Sequence, residues 1–224
     1  MLSPADAKAL KNGEGALVGG YVTAIFADYN CFVIESENGA SAITVAPLAA
    51  NLQIGCNVVV SGTLDNGILA MESVQPLDGT LVINPLLMSN REVAGAIGNP
   101  GHAAKDLLVS TTGVVLSGPA LSQDGSLRFS ISDSSVSQGG STLADSQTLK
   151  TGIVVIIPPS VVVMRQINVG DNATVTGIVA EGSLTQGLPC AVIVRSAADV
   201  AALAAEPGNG ASQPDDRPRN PIRR

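Results

Sequence analysis

Apolar runs rich in β-branched residues recur along the chain, each bounded by clusters of Gly, Asn, Asp and Ser. That punctuation predicts an all-β protein rather than alternating strand and helix units. In the first half the runs fall at residues 16–26, 31–36, 42–46, 57–64 and 68–74, giving five strands. The last two are joined by Asp65-Asn66-Gly67, whose Asn-Gly pair supplies the positive φ angles of a tight hairpin. In the second half the runs fall at 107–117, 127–132, 152–157, 172–179 and 190–195.

The second set repeats the first. Ile54-Gly55-Cys56-Asn57-Val58-Val59-Val60-Ser61-Gly62-Thr63-Leu64 matches Val169-Gly170-Asp171-Asn172-Ala173-Thr174-Val175-Thr176-Gly177-Ile178-Val179 at a constant offset of 115. Leu17-Val18 against Leu108-Val109 gives an offset of 91, so about 24 residues are expected to be gained in the second copy, mostly in the Ser/Gly-rich stretch 134–149. The repeated glycines fit a turn into a strand and then a bend within it, where a side chain would obstruct a curling sheet.

Helical signals sit at the edges. Ser3-Pro4-Ala5-Asp6 predicts a short helix to Leu10, and Ser196-Ala197-Ala198-Asp199 predicts another through Ala205, stopped by Pro207-Gly208. The expected organisation is a first module at 1–76, an apolar linker with Pro and Gly at 77–105, a second module at 106–206 and a basic, Pro-rich tail at 207–224. The tail, with four Arg against two Asp, is expected to be disordered and to dock on an acidic neighbour.

Composition narrows the chemistry. The 224 residues are 45% apolar and 14% charged, enough for a core in each of two small domains. Aromatics are 2%, with no Trp, and 12 Lys and Arg against 19 Asp and Glu give a net charge of −7. Such a surface repels phosphate backbones and offers few rings for stacking on bases. The most apolar stretch, 153–164, is interrupted by Pro158 and Pro159 and is too short to span a bilayer. No secretory signal is legible at the N-terminus, so the expected localisation is cytoplasmic if Met1 is the natural start, and extracellular or cell-surface for a mature form. Cys31, Cys56 and Cys190 form no CxxC pair and read as three small buried hydrophobes, with one disulfide at most.

Five strands per module and a fourth strand of the form I/V-G-[DCN]-x-V-x-V-x-G-x-[LIV] resemble the oligonucleotide/oligosaccharide-binding (OB) fold. Further features are Asp6-Ala7-Lys8-Ala9-Leu10, Gly20-Tyr21-Val22-Thr23-Ala24, Phe32-Val33-Ile34-Glu35, the linker Pro85-Leu86-Leu87-Met88-Ser89-Asn90-Arg91 and Ser196 to Val200. With these the chain is similar, over roughly residues 3 to 203, to tandem OB-fold modules of bacterial secreted or cell-surface proteins. The resemblance implies two OB-like five-stranded barrels in tandem with short peripheral helices. It carries no binding residues over.

The ligand face of an OB barrel is formed by its second and third strands with the adjoining loops. The residues there that suit a ligand are Tyr29 and Phe32 in the first module and Arg128 and Phe129 in the second, with Lys150 nearby; core packing is the competing role for both Phe. Glu35 and Glu37 are expected as solvated charge at a hairpin, and His102 as a solvated loop residue. The motifs of hydrolases, zinc proteases, nucleotide loops and calcium loops are not present intact, so neither an enzyme, a metal nor a cofactor is expected. The sequence-level expectation is a non-enzymatic structural or interaction protein, a subunit of an extracellular fibre or surface assembly that uses open strand edges and copies of itself. The alternative is a single-stranded nucleic-acid or carbohydrate-binding OB module, with the charge arguing against nucleic acid.

Overall fold

The computed structural model describes residues 1–95, 104–135, 152–186 and 188–203. The expected inserted loop at 134–149 lies outside them from residue 136, as do His102, Lys150 and the tail. A short helix α1 (Pro4–Lys8) opens the chain on a capping box, Asp6 N–H donating to Ser3 Oγ at 3.2 Å and Ser3 N–H donating to the Asp6 carboxylate. It ends at Lys8, two residues short of the expected Leu10.

Strands β1 (Gly15–Phe26), β2 (Cys31–Glu35), β3 (Ala42–Ala46), β4 (Cys56–Asp65) and β5 (Ile68–Thr80) form a closed barrel in the order β1-β2-β3-β5-β4, with β3 and β5 parallel. Asn66 and Gly67 take φ angles of 50° and 79° at the β4–β5 hairpin, as the Asn-Gly signal predicts. Alternate residues of β1 to β5 fill the barrel: Val18, Val22, Phe32, Ile34, Ile43, Val45, Val58, Val60 and Leu69. This is a five-stranded barrel of the OB type.

The remaining strands are β6 (Leu86–Leu87), β7 (Leu108–Leu121), β8 (Leu127–Ser132), β9 (Ile153–Ile157), β10 (Asn172–Ala180), β11 (Ala191–Ile193) and β12 (Val200–Leu203), with a single-turn helix α2 (Asn90–Val93) after β6. They form one seven-stranded sheet, β12-β10-β11-β9-β8-β7-β6, in which β10 also pairs back to β7. The strand pairs β7-β8-β9-β11-β10 therefore follow the same sequence as the first barrel, again with its third and fifth members parallel.

The register makes the repeat explicit and corrects its first-strand alignment. Gly15 pairs with Thr63 and Leu108 with Ile178, so the fourth strands stand 115 residues apart, as expected, but the first strands stand 93 apart, not 91. The inserted length falls by two accordingly. A two-residue slip keeps the same face inward, so apolar pattern alone does not detect it. The bulge between Val22 and Ala24 recurs between Val115 and Ser117 at that offset of 93. The repeated glycines also act alike. Gly55 and Gly170 have φ of 89° and 93°, and a Cβ on Gly62 or Gly177 would collide with the backbone carbonyl of Ala70 or Ile193 on the next strand.

The helix predicted for 196–205 is a correction. Only Ala197–Asp199 makes a 3-10 turn, after which β12 pairs with β10. β11 covers β10 at Ile178 to Ala180 alone, so the backbone from Asn172 to Val175 needs partners along that side. Val200 and Ala202 turn inward while Ala201 and Leu203 stay exposed, a period of two that outweighs the helix propensity of the alanines.

Gly62→Ala and Gly177→Ala are each expected to lower stability by about 1–3 kcal/mol, since a backbone carbonyl has to move. Gly118→Ala, where the nearest atom to an added Cβ is a Val169 methyl at 4.0 Å, is expected to stay within about 0.5 kcal/mol. Urea unfolding of the three variants checks the pattern.

Candidate functional site

Strand alternation leaves Cys31, Val33 and Glu35 of β2, and Ala42 and Thr44 of β3, on the outside of the first barrel, yet all five are buried. Cys31, Val33 and Ala42 belong to one apolar cluster with Leu107, Leu108 and Val109 at the start of β7, so the second sheet packs on this face. Polar contacts fix the approach. Thr44 Oγ1 donates to Asp106 Oδ1 at 2.7 Å, and Lys8 Nζ lies 2.7 Å from Asp106 Oδ2 while donating to the Lys105 carbonyl. Leu108 N–H donates to Glu35 Oε2 at 3.3 Å, Arg195 Nη1 donates to the Thr23 carbonyl at 3.0 Å, and Ser160 N–H donates to Asp28 Oδ2 at 3.1 Å.

The structure buries three of the four residues singled out from sequence and half-buries the fourth, Tyr29. Phe32 and Phe129 are fully buried, in the two core clusters. Tyr29 ends a 3-10 turn and is half-buried, its ring edge-on to Phe26 with centroids 6.1 Å apart; burial, then the nearby Asp124, push its phenol up to about 12. Arg128 is buried and already engaged, donating to Asp124 at 3.2 Å, to Gln186 at 2.8 Å and to Ser126 at 3.3 Å. Glu35 corrects the expectation of solvated charge: it is fully buried, whereas Glu37 is exposed. The three cysteines are free thiols, Cys31 and Cys190 buried and Cys56 half-buried. Among the described residues no three or more His, Cys, Asp or Glu side chains come together for a metal, and no helix is long and apolar enough to cross a membrane.

What stays open is a cleft of about 650 Å³ beside the buried face. The first barrel contributes Asn30 from the β1–β2 connection, Thr44, Ala46 and Pro47 at the end of β3, and Asp65 and Asn66 from the β4–β5 turn. Opposite lie Lys105 and Asp106 ahead of β7, and Glu181, Gly182 and Leu184 from the β10–β11 connection. Asn30 holds φ 51°, its Oδ1 accepting from Leu48 N–H at 3.1 Å, and its amide nitrogen has no partner among the described residues. Lys105 forms no ion pair among them, and its Nζ would lie 3.0 Å from a Cβ built on Gly67. Sequence offered no signal for this site, because it exists only where two segments more than 30 residues apart are brought together by docking.

No family model and no curated protein matches the chain. Solved structures similar to it include the tetrameric p202 HIN2, at 11% identity, covering 86% of this chain and 92% of that one with a TM-score of 0.38. Another is the Ifi202 HINa domain in complex with 20bp dsDNA, at 12%, 82%, 93% and 0.36. A third is fission yeast Pot1 and ssDNA, at 11%, 92%, 88% and 0.38.

These findings correct the expectation of a fibre or surface subunit that binds copies of itself and not nucleic acid. Two of the similar structures hold DNA. Closure of the first barrel leaves no open strand edge in that half, and the second sheet ends on the short strands β12 and β6. Thr44→Val, which leaves buried Asp106 Oδ1 without its donor, is expected to lower stability by about 1–3 kcal/mol in denaturant titration.

Proposed function

We propose that the chain is a tandem of two OB barrels that binds a short single strand of nucleic acid in the cleft between them, without turning it over. The observation that carries this reading is convergence: the β1–β2 and β4–β5 connections of the first barrel and the β10–β11 connection of the second line one cleft. OB barrels take ligands on the second and third strands and on these same loops. With the strand face of the first barrel covered, the loop end is the part left open.

The lining sets the mode of binding. Lys105 is its one cation outside an ion pair, so it can meet about one phosphate, while the Asn30 amide reaches base edges and Ala46, Ile68 and Leu184 supply apolar contact. Backbone electrostatics therefore contribute little and base contacts carry selection. Of the two localisations expected from sequence, the cytoplasmic one accompanies this function. A neutral oligosaccharide is a second reading, favoured by Asp65 and Glu181 in the lining, whose carboxylates suit sugar hydroxyls.

Fluorescence anisotropy with short labelled oligonucleotides tests the proposal. Affinity is expected to fall only about fivefold between 20 and 200 mM salt, the slope of a single phosphate contact on a single strand. Lys105→Ala is expected to abolish that slope, and Asn30→Ala to weaken binding about fivefold, the worth of one hydrogen bond. Failure to bind any oligonucleotide at 20 mM salt, with salt-independent binding of a neutral oligosaccharide, would transfer the cleft to the second reading.

A further inference from the structure

We infer that the outer β2–β3 face of the first barrel is a concealed surface, and that ionisation of Glu35 loosens the second barrel that covers it. The interface borders the cleft, sharing Thr44 and Asp106 with it, but the inference rests on Glu35 and holds whichever ligand the cleft takes.

Glu35 is placed for this. It closes β2, pairs with Tyr21 on β1 and Ala42 on β3, and its side chain is removed from water by the second barrel. One carboxyl oxygen accepts a long bond from Leu108 N–H and the other, Oε1, has no hydrogen-bond partner among the described residues. The charged groups that share the junction are committed elsewhere. Arg195, after β11, directs Nε and Nη2 to Asp199 and Nη1 to the Thr23 carbonyl, and Lys8 from α1 is held by Asp106 ahead of β7. The Cys31 thiol on the same strand is pushed up to about 12, by burial and then by Asp106, and stays protonated across the neutral range.

Burial pushes the Glu35 carboxyl up to about 7, partly opposed by the Leu108 amide, the Arg195 charge and the Thr23 hydroxyl. With the barrels apart the same group returns to its ordinary value of 4.5. The docked form thus binds the proton more tightly. Docking is strongest below the ordinary value, weakens as pH rises from there and has lost its full proton-linked share once pH passes the docked value. Protonated, Glu35 is a neutral buried group; ionised, it is a buried charge whose partners, the Leu108 amide, the Thr23 hydroxyl and the more distant Arg195, do not offset its burial.

Cys31 lies on the concealed face and reports its exposure, while Cys190 is buried within the second sheet and reports unfolding there. We expect the labelling rate of Cys31 by a small thiol reagent, relative to the same thiol in Glu35→Gln, to rise about tenfold from pH 6 to pH 8. Comparison at equal pH removes the intrinsic chemistry of the thiolate. The corresponding ratio for Cys190 is expected to stay flat. A flat Cys31 ratio would overturn the inference, and so would a parallel rise at Cys190, which would make Glu35 a determinant of whole-chain stability. Should Glu35→Gln fail to fold, the ratio of Cys31 to Cys190 labelling in the unsubstituted chain carries the same test, rising with pH if the barrels part and constant if they do not.

Discussion

The docking of the second sheet on the outer face of β2 and β3 is the constraint from which the rest follows. It is built like a core: Cys31, Val33 and Ala42 share one continuous apolar cluster with Leu107, Leu108 and Val109. Two carboxylates are buried with it, and they are treated differently. Asp106 has a hydroxyl on one oxygen and an ammonium beside the other, whereas Glu35 has one amide at 3.3 Å. Removing a charge from water costs several kcal/mol unless such partners replace the hydration. Asp106 thus anchors the contact, and Glu35 is its weak point.

The two halves answer the same structural question in two ways. Phe32 pairs with Val45 and Phe129 with Val155, both in core positions, so Cys31 and Arg128 occupy equivalent places one residue earlier on the outer face. A small thiol stands where the second sheet approaches closely. An arginine stands where the strand is instead tied, through Asp124 and Gln186, to its own loops. In both halves the outer face of the equivalent strands, β2 and β3 or β8 and β9, is covered by protein, and the cleft lies at connecting loops.

Much of the strand pattern was legible because local chemistry and tertiary demand agreed. The runs at 42–46 and 127–132 match the strands residue for residue, and the Asn66-Gly67 hairpin follows from conformational preference alone. Misreadings arose where a distant partner decided. Val200 to Leu203 became a strand because β10 had a vacant edge, and the first-strand alignment slipped by two because period two is blind to even shifts. Tyr29, Phe32, Arg128 and Phe129 were sound choices for an exposed OB face, but no local signal says that the face is covered. The cleft escaped notice for the same reason. Asp106 and Lys105 look like ordinary linker charges until Lys8 and Thr44, 98 and 62 positions away from Asp106 by residue number, are brought against them.

The scarcity of aromatics has a structural cause. Gly62 and Gly177 let neighbouring backbones approach so closely that a methyl group would collide, and the two buried clusters are filled mainly by Val, Ile and Ala together with all three Phe, Phe26, Phe32 and Phe129. Rings spent on that filling are not available outside. The cleft is accordingly lined by amides, a hydroxyl, carboxylates, a lysine and short apolar side chains rather than by aromatic rings. Asn30 and Asn66 hold left-handed backbone at its rim, and Thr44 Oγ1 holds Asp106 at 2.7 Å. The interface that hides one face is thus also what shapes the other.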